Sequence, residues 1–312
     1  MRRNRALRGR KLRAEQELEI QRLTAAIEAP VMARVPGSHH VAVVNPKGGS
    51  GKTTTSSMLG LVLADIRGEI VSVVDANPHM GTLRRRLVPA SVSPPLSFVD
   101  LCYLAEDEDT PAEWATLAPY TDIVARLRVL SNQTADPASV EDLSGSEYDA
   151  GIRLLRRAAQ IVISDMGTSF AGGPAIAALE SANTLVFATD MSQDSLELTI
   201  EMVSALAGQP LSYRPDPDDY DAVSNGRFAP LVQRSVVAIS PGRGDRRDPE
   251  NLAELIGWLR SVCQGGVFVI PKDQHLVRGD LIIANALQPA TLITYLGIAA
   301  EVASQFPTPI EV

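Results

Sequence analysis

The chain has 312 residues, 45% hydrophobic and only 4% aromatic, with two widely separated cysteines, Cys102 and Cys263. This supports a large core and argues against a base-stacking surface for single strands, a metal-binding cysteine set or a disulfide framework. No apolar run reaches the roughly 18 residues of a spanning helix and no apolar leader follows the basic start, so a cytoplasmic location is expected. The net charge of −8 is unevenly divided: Arg2, Arg3, Arg5, Arg8, Arg10, Lys11 and Arg13 stand without an acid among them, and the remaining chain carries 22 cations against 37 acids.

Residues 1–28 predict a helix, with Ile20, Leu23 and Ile27 spaced to form an apolar stripe in its second half. Pro30, Pro36 and Gly37 then mark a linker, so the expected division is a basic helical arm and linker over 1–38 and one domain over 39–312. From His40 onward, short β-branched runs alternate with helical stretches. Strands are expected at 41–45, 70–75, 128–130, 161–165, 184–188, 236–239 and 267–270. Helices are expected at 52–66, through most of 78–122, and at 139–159, 193–207, 249–263 and 289–305. This alternation predicts an α/β fold, a mostly parallel twisted sheet with helices on both faces. Residues 209–230 are rich in Pro and Asp, but Asp216, Asp218, Asp219 and Asp221 lack the glycine and terminal Glu of a calcium loop, and read as a solvated loop.

Ligands of such sheets sit at the carboxyl ends of the strands, and the distinctive residues of this sequence fall there. After the first strand comes Lys47-Gly48-Gly49-Ser50-Gly51-Lys52-Thr53-Thr54. The glycines leave backbone N–H groups free to point at phosphate oxygens, and the helix that follows adds the positive end of its dipole. Lys52 supplies a point charge to the outer phosphates, and the Thr53 hydroxyl suits Mg2+, which takes oxygen ligands. Asp75 and Asp165 end two other strands. ATP with Mg2+ is therefore the expected ligand.

The general phosphate-loop pattern expects glycine where Pro46 stands. With Lys47 following it, the loop resembles the variant loop of the ParA/MinD family of P-loop ATPases, Lys-Gly-Gly-x-Gly-Lys-[Ser/Thr], at every fixed position. The resemblance implies a P-loop NTPase fold over about 40–306 and an ATP-dependent sandwich homodimer in which Lys47 reaches the partner's nucleotide. It also implies a metal set of Thr53, Asp75 and Asp165, the Gly167 amide near the γ-phosphate, and Pro271 and Asp273 near the adenine base. The family's switch I reads Asp-x-Asp-Pro, whereas this chain has Asp75-Ala76-Asn77-Pro78. Asn77 can form hydrogen bonds but carries no charge, so slow hydrolysis is expected from Lys47, Lys52 and Asn77 as the catalytic set. The string Asp-Ala-Asn-Pro-x-x-Gly-Thr-Leu also resembles an actinobacterial subgroup, some of whose members are linked to type VII secretion; in that subgroup the Asn is normal rather than a defect.

By this resemblance the chain is an ATPase switch that positions a cargo, such as DNA or a secretion or polar complex, with an unidentified activator or cargo protein. Two alternatives stay open: a nucleotide-bound scaffold with little hydrolysis, and an ATP-dependent ligase or amidotransferase on the same fold. The seven cations of the arm suit a polyanion, either DNA or an anionic membrane surface, which would bring nucleoid or membrane association, or else a solvated helix face that aids solubility. Arg84, Arg85 and Arg86 form either a second polyanion contact or ordinary helix surface.

Overall fold

In the computed structural model, which describes residues 2–28, 37–77, 81–132, 143–168, 172–209, 226–242 and 249–306, the apolar runs form one eight-stranded sheet. Its strands are β1 (His39–Val44), β2 (Val71–Asp75), β3 (Asp122–Val124), β4 (Leu127–Leu130), β5 (Ile161–Asp165), β6 (Thr184–Asp190), β7 (Val236–Ser240) and β8 (Val267–Val269). Their order is β3-β4-β2-β5-β1-β6-β7-β8, and every neighbouring pair is parallel except β3 and β4. Parallel strands covered on both faces need apolar residues at consecutive positions rather than alternate ones. β1, β2 and β5 are accordingly buried at every residue.

Two hydrophobic layers sandwich the sheet. Helices α1 (Arg2–Glu28), α2 (Lys52–Ile66) and α12 (Pro289–Ser304) contribute to one of them. The other includes α4 (Phe98–Leu104), α6 (Gly145–Ala158), α7 (Gly173–Ser181), α8 (Gln193–Leu206) and α10 (Pro249–Val262). Ser97 with Asp100 and Ser144 with Glu147 form capping boxes that start α4 and α6, each satisfying otherwise orphaned backbone N–H groups. The second half of α1 packs along α12: Leu23 is buried and Ile20 lies against the same core. The side chains of Ile27 and of the arm cations from Arg2 to Lys11 lie outside the described residues, as does the Asp-rich segment 216–221.

Residues 78–122 depart from the helical expectation. Instead of long helices the chain forms α3 (Leu83–Leu87), α4 and α5 (Trp114–Leu117), because Pro89, Pro94, Pro95, Pro111 and Pro119 break the ladder repeatedly. The short edge strand β3 was not expected either; a tight turn with Ala125 at φ 52° folds it back on β4. α7 and the short α9 (Ala229–Gln233) are also additional to the sequence reading, as is α11 (Gln274–Val277). Among the described residues no helix is long and apolar enough to cross a membrane.

At the end of β1 opposite the glycine loop, His39 and His40 are buried, and His40 bonds Ser164 Oγ at 2.9 Å and Ser181 Oγ at 3.1 Å. Burial first, and then the nearby Arg156 charge, push both rings from 6.5 down to about 3. The unfolded chain therefore binds protons that the folded chain refuses, so this stability is complete above pH 6.5 and is lost as the pH falls toward 3. At about pH 5 each ring withdraws about 2 kcal/mol. The ring proton resonances are expected to stay constant from about pH 7 to about pH 4.5 in the folded protein. Replacing His40 by Asn should narrow the stability difference between about pH 7 and about pH 5 by roughly 2 kcal/mol. A ring titrating at its ordinary value would refute this reading.

Candidate functional site

The chain leaves β1 through Asn45, whose side chain anchors the loop that follows. Asn45 Nδ2 donates to Thr199 Oγ1 at 2.8 Å, and its Oδ1 accepts the Lys47 backbone N–H at 2.8 Å. The loop then turns through Gly49 at φ 75° and Gly51 at φ 104°, a left-handed backbone that favours glycine. Gly51 is constrained twice, since a Cβ there would lie 3.2 Å from Ser240 Oγ, which donates to Ser50 O at 3.1 Å. Helix α2 begins at Lys52, as expected from the sequence.

Lys52 is 8% exposed, and its ammonium points back into the loop, donating to Asn45 O at 2.9 Å and Lys47 O at 3.0 Å. Burial lowers its pKa, against an opposing pull from Asp165. Lys47 points elsewhere. Its Nζ donates to Ser192 Oγ at 2.9 Å and lies 3.8 Å from Asp190 Oδ2, at the end of β6 and the start of α8.

Asp75 and Asp165 are register partners at the ends of β2 and β5, so their buried carboxyls share one end of the sheet beside α2. Burial raises the pKa of both, and for Asp75 the Asp165 charge adds to the effect. Hydrogen bonds from Thr53 and Ser56 to Asp165, and the Lys52 charge, offset part of that. Ser56 Oγ donates to Asp165 Oδ1 at 3.1 Å, while Asp75 accepts the backbone N–H of Asn77 at 3.2 Å and of Leu83 at 3.3 Å. Two desolvated carboxyls beside a hydroxyl form an oxygen-rich site short of positive charge, the donor set for a hard divalent cation.

The structure thus brings Lys47, Lys52, Thr53, Asp75 and Asp165 together around the loop. Asn77 follows Asp75, the last residue of β2, by two residues, as Gly167 follows Asp165. Pro271 and Asp273 lie just past β8; the Asp273 carboxylate is engaged in capping α11, accepting His275 N at 2.9 Å and Gln288 N at 2.8 Å. Sequence reasoning missed Asn45, Ser56, Asp190, Ser192 and Ser240. Asp190 does end a strand, as Asp75 and Asp165 do, which was the available signal; the others carry no local mark.

The Arg84–Arg86 reading needs correction. Arg84 and Arg86 are only 4% and 5% exposed. Arg84 donates to Asp122 at 2.7 Å and to the carbonyls of Val92 and Ser93. Arg86 ties α2 to the segment after β8, donating to Thr54 Oγ1 at 3.1 Å and to the carbonyls of Leu276 and Asp280. Only Arg85 of the three is exposed, so they form no surface patch.

Comparison with known proteins agrees with this geometry. The CbiA model, the CobQ/CobB/MinD/ParA nucleotide binding domain, matches residues 41–278. The chain is 27% identical over 298 residues to the ESX-1 secretion-associated protein EspI of Mycobacterium tuberculosis, covering 90% of this chain and 38% of that protein. Among solved structures, the ParA family ATPase from Chlorobium tepidum superposes with a TM-score of 0.58 at 13% identity, over 86% of this chain and 97% of that one. The septum site-determining protein MinD with Mg-ADP from Pyrococcus horikoshii gives 0.56 at 19% identity, over 84% of this chain and 94% of that one. A phosphate-type loop at the carboxyl edge of a largely parallel sheet, two strand-end acids beside it, and a family match across most of the chain lead to one conclusion: the protein belongs to the CobQ/CobB/MinD/ParA family of nucleotide-binding domains.

Proposed function

We propose that the chain binds ATP with Mg2+ in the 47–54 loop and acts as a switch between a monomer and an ATP-bound homodimer that positions a cargo. The observation that carries this reading is the buried Lys52 ammonium, which donates to the loop carbonyls of Asn45 and Lys47 and feels the charge of Asp165, the register partner of Asp75. A polyphosphate supplies the anion that the lysine and glycine N–H groups suit, and a divalent cation supplies the charge that the two carboxyls need. Thr53, with Asp75 and Asp165, would hold Mg2+, which when bound neutralises phosphate oxygens. Lys52 would bind the outer phosphates, and Asn77 would orient water by hydrogen bonding alone. The uncharged Asn77 favours slow turnover, and a nucleotide-bound scaffold is the second reading.

Lys47 supports the dimer. Its contacts with Ser192 and Asp190 are partly solvent-exposed, with side chains 29% and 13% accessible for the ion pair. At 3.8 Å the ion pair with Asp190 is at the long limit of such a contact, so the lysine would exchange it for a phosphate across an interface. We further assign residues 1–38 as a basic arm that contacts a polyanion, DNA or an anionic membrane surface, and 39–312 as the ATPase domain. The chain spans 38% of the length of the EspI relative, and a secretion complex is one cargo this likeness suggests.

Light scattering on size-separated protein tests the switch. Mass should double with ATP and Mg2+ but not with ADP or without nucleotide. The Lys47→Ala variant should stay monomeric while binding ATP within about threefold of wild type, as expected when only an interface contact is lost. A mass independent of nucleotide would refute the switch, and a monomer that joins ATP to a second substrate would favour the ligase alternative.

A further inference from the structure

Three separate stretches of chain meet at one side chain that the nucleotide reading leaves unused. Asn132 lies two residues past β4 and is 4% exposed. Its Nδ2 donates to Asp75 O at 3.0 Å and to Asn77 O at 3.0 Å. Its Oδ1 accepts the backbone N–H of Val99, in the first turn of α4, at 3.1 Å. One amide thus spends both donors on the segment leaving β2 and its acceptor on a helix start; of the side chains of this length, only an amide offers both.

The placement follows from the sheet. β4 runs parallel beside β2, with Val74 opposite Leu130, so the chain continuing past Leu130 lies beside the exit of β2. Ladder bonds stop where strands end, and the next backbone groups need other partners. On one side, Ala76 N donates to Asp165 O at 3.0 Å, which keeps the segment against β5. On the other side Asn132 takes over from the ladder. Asp75, Ala76 and Asn77 are therefore clamped between β5 and a side chain.

We infer that Asn132 is a positioning residue for the nucleotide reaction, fixing the 75–77 backbone so that Asp75 meets the metal position and Asn77 faces the phosphates. The inference rests on the ATP reading above for its chemical consequence, but the clamp itself is a property of the protein without nucleotide. The bonds of Asn132 go to backbone groups of Asp75, Asn77 and Val99 rather than to the Asp75 or Asp165 carboxyls. Asn132 sets the place from which the residues of this segment act.

Two variants separate this role from simple packing. Asn132→Ala removes every bond. Asn132→Asp keeps the shape and an oxygen to accept Val99 N, but a carboxyl holds at most one proton where the amide has two N–H donors. Amide hydrogen exchange over 76–83 in nucleotide-free protein should quicken about tenfold in both variants, while exchange in α2 stays at the wild-type rate. Single-turnover hydrolysis should fall on the order of tenfold in both, with ATP affinity within about threefold, because misplaced positioning groups cost rate more than binding. Wild-type exchange and wild-type rate in Asn132→Asp would overturn the inference, since anchoring α4 would then be the side chain's whole role. Wild-type protein that bound no ATP would end the functional reading instead, and the exchange result would still decide whether Asn132 clamps the segment.

Discussion

Replacing Lys52 by alanine is expected to weaken ATP binding by at least about a hundredfold, since truncating one partner of a buried charged hydrogen-bonded pair costs about 2–5 kcal/mol. The reason lies in how the lysine is held. Its ammonium is nearly inaccessible and donates to Asn45 O and Lys47 O, so it is oriented before any ligand arrives. Removing it leaves two carbonyls facing inward and only backbone N–H groups to meet the outer phosphates. Lys52→Arg is not expected to rescue binding, because a planar fork cannot replace a compact ammonium between two carbonyls. Titration with a fluorescent ATP analogue measures this directly. Alanine-variant affinity within threefold of wild type would place the phosphates elsewhere and remove the central support for the proposal.

Replacing Gly81 by alanine should destabilise the protein by about 3 kcal/mol, the scale of freeing a buried polar group from its partners. A Cβ at this position would lie 1.8 Å from Asp75 Oδ2 and 2.3 Å from its Cγ, so the carboxyl must move. Moving it breaks its hydrogen bonds with Asn77 N and Leu83 N and displaces one of the two acids. The melting temperature should fall by roughly 6 °C, at about 2 °C per kcal/mol for a chain of this size. The gain in melting temperature on adding ATP with Mg2+ should shrink as well. Gly257→Ala is the control: nothing lies within 4 Å of a Cβ there, and the position is inside α10. Alanine favours a helix by about 1 kcal/mol over glycine, so that variant should hold or gain stability. If Gly81→Ala melted with the control, the close packing of Gly81 on Asp75 would be wrong.

The sequence by itself determined where seven of the eight strands lie along the chain, because a strand buried on both faces must be apolar along its whole length and that demand is written locally. It determined the phosphate loop for a similar reason: glycines, a lysine and a hydroxyl in consecutive positions carry their chemistry with them. The start of α2 at Lys52 and the strand-end positions of Asp75 and Asp165 were legible in the same way. The three residues of β3, and the mostly small residues of α7, left too little pattern to read.

Only the tertiary structure decided what distant partners do. Three consecutive arginines read as a charged surface, yet Arg84 is matched by Asp122 and Arg86 by carbonyls at Leu276 and Asp280. Lys47 meets Ser192 and Asp190 at the end of the neighbouring strand β6, Gly81 is small because a carboxyl folds against it, and Asn132 clamps the exit of β2. Periodicity and motif spacing report a residue's own element. Burial, counter-charge and close approach depend on which other elements the fold brings beside it, and that follows from strand order rather than from neighbours along the chain.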